Sequence, residues 1–144
     1  MSINDEHDLN RFVDAQRSTY ASALAELRGG LKRTHWMWFV FPQLAGLGRS
    51  ATAERYAIAS LAEAEVYLKH PVLGPRLIEC ATAVLDVEGR SAHEIFGSPD
   101  DLKLRSCATL FALVSAPESV FARLLAKYFD GADELTLRLL GRLG

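Results

Sequence analysis

Apolar residues recur at steps of three and four along most of this chain, the spacing that puts them on one face of an α-helix. Leu9, Phe12, Val13, Gln16, Tyr20, Leu24 and Leu27 predict a first helix over 8–28, which Gly29-Gly30 stops. Helix starts are marked by S-x-x-E or S-x-x-D at Ser60/Glu63, Ser91/Glu94 and Ser98/Asp101, where a hydroxyl accepts from a free first-turn N–H. Pro71, Pro99 and Pro117 each stand just before a helical pattern, where a missing N–H costs nothing. The full reading places helices at 8–28, 34–41, 51–58, 61–69, 71–87, 92–96, 99–115, 118–129 and 133–142. A strand at Trp36–Phe41 is the rival reading of that segment, but a lone strand has nothing to pair with. The fold class is therefore all-α: a compact array of about eight or nine helices, several of them short.

The 144 residues fit one domain, 1–144, with neither repeat nor linker. Apolar residues at 49% and charged residues at 24% exclude disorder and low-complexity architectures. A net charge of −2 supplies no global attraction to nucleic acid or an anionic membrane, so any anion site is local. Cys80 and Cys107 lie in apolar helical patterns without a CxxC partner, so they read as buried thiols of a reducing compartment. The polar N-terminus, Met1–Asn10, lacks an export signal's apolar core, and no stretch has the length of a membrane span. The expectation is a cytoplasmic protein with no membrane association.

The segment His35-Trp36-Met37-Trp38-Phe39-Val40-Phe41 is apolar on every face if helical, which predicts a central helix enclosed by others. Both tryptophans then pack in the core, with a cost of roughly 3–5 kcal/mol for Trp38→Ala. Alternatively, Trp36 or Trp38 shows a face to a cavity and stacks a planar ligand. Lys32 and Arg33 precede this helix against its dipole, which calls for a compensating negative group. Downstream, Gly46-Leu47-Gly48-Arg49-Ser50 brings flexible backbone, a cation and a capping hydroxyl to a helix start, a combination that suits phosphate. Five cations against Glu54 give residues 28–55 a charge of +4, so the rest of the chain carries −6. The competing explanation for that asymmetry is a solvated face paired with acidic residues elsewhere.

His7, His35, His70 and His93 are scattered, and their spacing assembles no metal site. His70-Pro71 sits between two helices, where a histidine can cap the first one's C-terminus. Asp100 and Asp101 suit a first turn electrostatically, and Lys103 either neutralises them or reaches a ligand. The sequence contains no nucleophile elbow, Walker loop or dinucleotide fingerprint.

Three long motifs, His35–Leu44 (HWMWFVFPQL), His70–Leu77 (HPVLGPRL) and Ile95–Lys103 (IFGSPDDLK), resemble domain-of-unknown-function family 1810 over nearly the whole chain. The resemblance implies a small all-α fold with no assigned biochemical role. Some members carry the label calpastatin, which implies protease inhibition; a compact helical domain lacks the extended disorder such inhibitors use, and the label is not carried over. Phe96-Gly97 is also similar to a late turn of the all-α NADAR family, which implies action on ADP-ribose N-glycosidic linkages by an N-glycosidase-like hydrolase. Thr34-His35 stands where that family has a Glu-His pair, so its catalytic carboxylate has no matched position here.

The resulting expectation is a pocket joining 32–50 to the 96–103 turn, open to an anionic, nucleotide-like small molecule related to ADP-ribose or NAD. Trp36 or Trp38 stacks the base, Lys32, Arg33 and Arg49 meet phosphate, and Gln43 or Asp100 reads polar edges, with Lys103 beside them. Asp100, Glu94 and His35 are the acid-base candidates if the domain is an enzyme. No cofactor and no metal are expected. The competing expectation is a non-catalytic domain that binds a protein partner.

Overall fold

The computed structural model describes residues 5–142, so the outermost residues of the expected 1–144 domain and the Met1–Asn4 part of the N-terminal reading lie outside the described residues. Ten helices follow in order: α1 Asn10–Gln16, α2 Tyr20–Arg28, α3 Met37–Val40, α4 Ala51–Arg55, α5 Leu61–Lys69, α6 Leu73–Leu85, α7 Ala92–Phe96, α8 Asp100–Ala112, α9 Val120–Tyr128 and α10 Glu134–Leu139. The described residues form no strand; a single parallel bridge joins Leu44 to Ile58. The all-α class is thus as the periodicity predicts, and α5 and α7 match their expected ranges.

The two longest helices organise the core. Helix α6 packs on α2, α5 and α9, and α8 packs on α5, α7, α9 and α10. Their inward faces supply Leu73, Leu77, Cys80, Ala81 and Val84 from α6, and Leu104, Cys107, Ala108 and Phe111 from α8, all buried. Both cysteines are free thiols within this core.

Four expectations about local structure are corrected. The span 8–28 is two helices, because Arg17-Ser18-Thr19 breaks it with a turn in which Thr19 N donates to Gln16 O at 3.0 Å. Ser and Thr compete with the helix for backbone bonds, and the break lets α1 pack on α3 while α2 packs on α6. The break is pinned by buried Gln16, whose amide donates to Phe39 O at 2.7 Å and to Tyr67 Oη at 3.4 Å and accepts from Arg76 at 3.3 Å.

The aromatic segment does enter the core, through Trp36, Met37, Val40 and Phe41, but only one helical turn forms. The N–H groups of Arg33 and Thr34 donate to the Glu26 carboxylate, so the chain ahead of α3 is held by a side chain and does not start a helix. Pro42 prevents its continuation. Trp36 is fully enclosed, whereas Trp38 and Phe39 are half-buried, so the residue with the large packing contribution is Trp36 and not Trp38.

The third correction concerns Ser98, which caps nothing: α8 starts without a side-chain cap, and Asp101 N donates to Gly97 O. Ser91, by contrast, forms a complete capping box with Glu94, and Ser60 accepts from Glu63 N. His70 caps in the direction opposite to the expected one, its Nδ1 accepting from Val72 N and Leu73 N at the start of α6.

An ion pair that the sequence does not announce ties the N-terminal segment to the 55–60 connection. Arg11 donates to the carbonyls of His7, Asp8, Arg55 and Ala57 and to Glu63, whose carboxylate is buried and also accepts from Ala59 N. The guanidinium also lies 4.4 Å from the Phe12 ring centroid.

Candidate functional site

The site assembles where the segment after α2 meets the start of α8. Gly30, at φ +76, takes a left-handed conformation that L residues avoid and ends α2, and Lys32 N then donates to Ile95 O at 2.8 Å. This fixes the chain so that the Lys32 side chain, only 8% exposed, reaches Asp100 in the first turn of α8 at 2.9 Å. Its Nζ also donates to Thr34 O at 2.6 Å and lies 5.0 Å from the Trp36 ring centroid. One turn along α8, Lys103 pairs with the other oxygen of Asp100 at 3.5 Å and covers the face of Trp38, 5.0 Å from its centroid. Two ammonium groups therefore share one carboxylate, each against an indole face, an arrangement favoured by the ring quadrupole.

Behind this cluster stands Glu26, which sequence reasoning missed. Its carboxylate accepts from Arg33 N, Thr34 N, Thr34 Oγ1 and Trp36 Nε1 at 2.6–3.0 Å. Burial alone would raise its pKa, but these hydrogen bonds outweigh burial and hold the carboxyl at about 2. Asp100 is the negative group that Lys32 called for, whereas Glu26 binds the backbone N–H of Arg33 and leaves its guanidinium unpaired among the described residues. The reason is not a helix dipole, because α3 begins only at Met37. Nothing in the sequence singles out Glu26, since it occupies an ordinary position of α2 and its partners lie beyond a turn.

Beside Trp38 opens a small crevice of about 10 Å³, room for about one water, lined by Met37, Trp38, Phe41, Gln43, Ala53, Tyr56 and Lys103. Of the expected ligand-binding residues, Trp38, Gln43 and Lys103 meet here, and Lys103 links them to Lys32, Asp100 and Trp36. Trp36 presents no face: its ring is enclosed by Phe41 and Phe96. Arg33 and Arg49 are exposed and their side chains pair with nothing among the described residues. Arg49 nevertheless follows Gly48, whose added Cβ would come within 3.3 Å of Gln43 Nε2, so its loop borders the crevice. Ser50 caps the following helix, accepting from Ala53 N at 3.1 Å.

The acid-base candidates do not converge. Glu94 is exposed and bound within the capping box, where hydrogen bonds from the Ser91 backbone and hydroxyl lower its pKa. His35 is exposed with no side-chain partner among the described residues, and Asp100 is held between two lysines. Among the described residues no group of three or more His, Cys, Asp or Glu side chains could hold a metal ion. Among the described residues no helix is long and apolar enough to cross a membrane.

Comparison with known proteins agrees with this picture of the fold. The sequence profile described as "Protein of unknown function (DUF1810)" matches residues 6–140. The crystal structure of the conserved hypothetical protein Rv1873 from Mycobacterium tuberculosis is similar at 57% identity and a TM-score of 0.93, covering 95% of this chain and 99% of that one. No protein of curated function matches. A profile match over nearly the whole length, together with the motifs at 35–44, 70–77 and 95–103, places this chain in the DUF1810 family.

Proposed function

We propose that the chain is a binding domain for an anionic, nucleotide-like small molecule, held where Lys103 covers Trp38. The observation that carries this reading is that Lys103 makes only a longer contact to Asp100, which Lys32 already pairs at 2.9 Å, and covers a half-buried indole. An incoming phosphate can take over the longer Lys103 contact while Lys32 keeps Asp100 neutralised, so binding leaves no buried carboxylate unpaired. Arg49, on the bordering loop, supplies a second cation. The crevice has room for little more than one water, far short of the roughly 300–1,000 Å³ of pockets that engulf a ligand, so a nucleotide lies across its mouth, with its ring over Trp38. Binding is favoured over catalysis because Glu26, Glu94 and Asp100 are each engaged by hydrogen bonds or ion pairs.

ADP-ribose, NAD and mononucleotides are the first candidates. Thermal unfolding at low salt tests them, since a true ligand at a hundred times its Kd stabilises by about 2.7 kcal/mol. The expected result is a stabilisation that added salt weakens and that Lys103→Met removes. No response to any of these anions overturns the reading. A protein-interaction domain is the second reading, favoured by Leu135 and Leu139, which stand one turn apart on α10 and are each about half exposed. In that case the domain stays monomeric and unresponsive to nucleotides, and a partner's binding is lost in Leu139→Glu.

A further inference from the structure

Resting on the nucleotide-binding reading, we infer that the side-chain amide of Gln43 selects the ligand's base, accepting planar rings that present a hydrogen-bond donor beside an acceptor, as adenine does. Gln43 is held in place by its main chain, whose carbonyl accepts from Ile58 N at 2.9 Å in the bridge that joins residues 43–45 to Ile58. Its side chain is half-buried and lines the crevice, yet the amide bonds to nothing among the described residues. The other half of the comparison is Gln16, a buried amide in the same core whose oxygen and nitrogen are both satisfied. A primary amide carries an acceptor and a donor side by side in one plane, and it pairs in two-point fashion with a base edge of the complementary pattern, such as the amino group and neighbouring ring nitrogen of adenine.

Two further features suit a ring at this place. Trp38 is the tryptophan whose ring packs against no other aromatic ring, in contrast to Trp36, and its cover is the flexible end of Lys103. Gly48 closes the side behind Gln43: a Cβ there would meet Ala53 Cβ at 2.5 Å and Gln43 Nε2 at 3.3 Å, so the absence of a side chain lets the loop sit against the amide. The amide thus sits between the Gly48 loop and the crevice that Trp38, Phe41 and Tyr56 also line.

The test compares AMP with purine riboside 5′-monophosphate, which keeps the phosphate, the ribose and the stacking ring and lacks only the exocyclic amino group. Titration calorimetry at low salt is expected to give AMP about tenfold tighter binding, near the low end for a two-point pair. Gln43→Leu is expected to bring the two nucleotides to equal affinity, weakening AMP by more than purine riboside 5′-monophosphate, which keeps only the ring-nitrogen bond to the amide. Because the amide bonds nothing among the described residues, the unliganded melting temperature of Gln43→Leu stays near that of the wild type, which serves as the folding control. Equal wild-type affinities for the two nucleotides, or a preference that survives Gln43→Leu, overturn the role of Gln43 and leave the binding reading standing. No heat from either nucleotide overturns both.

Discussion

Replacing Glu26 by Gln isolates the hydrogen-bonded carboxylate that holds the segment between α2 and α3. In the folded chain four donors keep the Glu26 pKa near 2, against an ordinary 4.5. A difference of about 2.5 units corresponds to a ceiling of about 3.4 kcal/mol at 1.36 kcal/mol per unit. The carboxylate remains in contact with solvent, which reduces the expected contribution to about 1–2 kcal/mol. The folded pKa lies below the unfolded one, so this stability is fully present above pH 4.5 and disappears as the pH falls through 2. Urea denaturation followed by circular dichroism, repeated from pH 7 to pH 2.5, reads the effect as a gap between wild type and Glu26→Gln. That gap should be about 1–2 kcal/mol at pH 7 and should close toward pH 2.5. Other carboxylates titrate in the same range, but they are common to both proteins and cancel in the difference. A gap that is constant with pH, or absent at pH 7, refutes the reasoning.

Other substitutions separate what the sequence implies from what the fold uses. Trp36→Ala should cost about 3–5 kcal/mol in chemical denaturation, because it empties an enclosed site, and half-buried Trp38→Ala less than about 1.5; the reverse order would contradict the burial described. Arg11→Ala leaves buried Glu63 with only His7, at 3.4 Å, and Ala59 N beside it and should lose about 3 kcal/mol, while Arg11→Lys recovers little, since an ammonium cannot reproduce five fixed donors; full recovery would show the charge alone to be sufficient. Ser91→Ala should cost about 1 kcal/mol in the same assay, and Ser98→Ala less than about 0.5, although both serines head the same apparent motif. Cys80, whose thiol burial pushes up to about 12, and Cys107, raised well above the ordinary thiol value by complete enclosure, should react with a thiol reagent only on unfolding; rapid labelling of the native chain would contradict their burial.

The candidate site was partly legible. Lys32, Trp38, Gln43, Asp100 and Lys103 stand out because each is unusual for its place: a cation ahead of an aromatic run, a lysine in an acidic first turn, a glutamine after a proline. The partnership between Lys32 and Asp100 was not legible, because α2 and α8 are distant in sequence and meet only through the packing of the segment between them. Glu26 left no signal for the same reason, since a carboxylate on a helix surface reads alike whether it faces water or a loop that folds back over it.

The sequence by itself determined the class of the fold and the places of most of its helices. Three- and four-residue apolar spacing, glycine stops and hydroxyl caps are local instructions, acting over one or two turns. They therefore hold for α5 and α7 with no reference to the rest of the chain. Tertiary structure alone decided which tryptophan is enclosed, where 8–28 breaks and where α3 starts. Each of those outcomes depends on polar groups brought from afar: Gln16 between Phe39, Tyr67 and Arg76, and Glu26 on the backbone of Arg33 and Thr34. A buried amide or carboxylate must find its partners wherever packing places them, and that requirement overrides local periodicity.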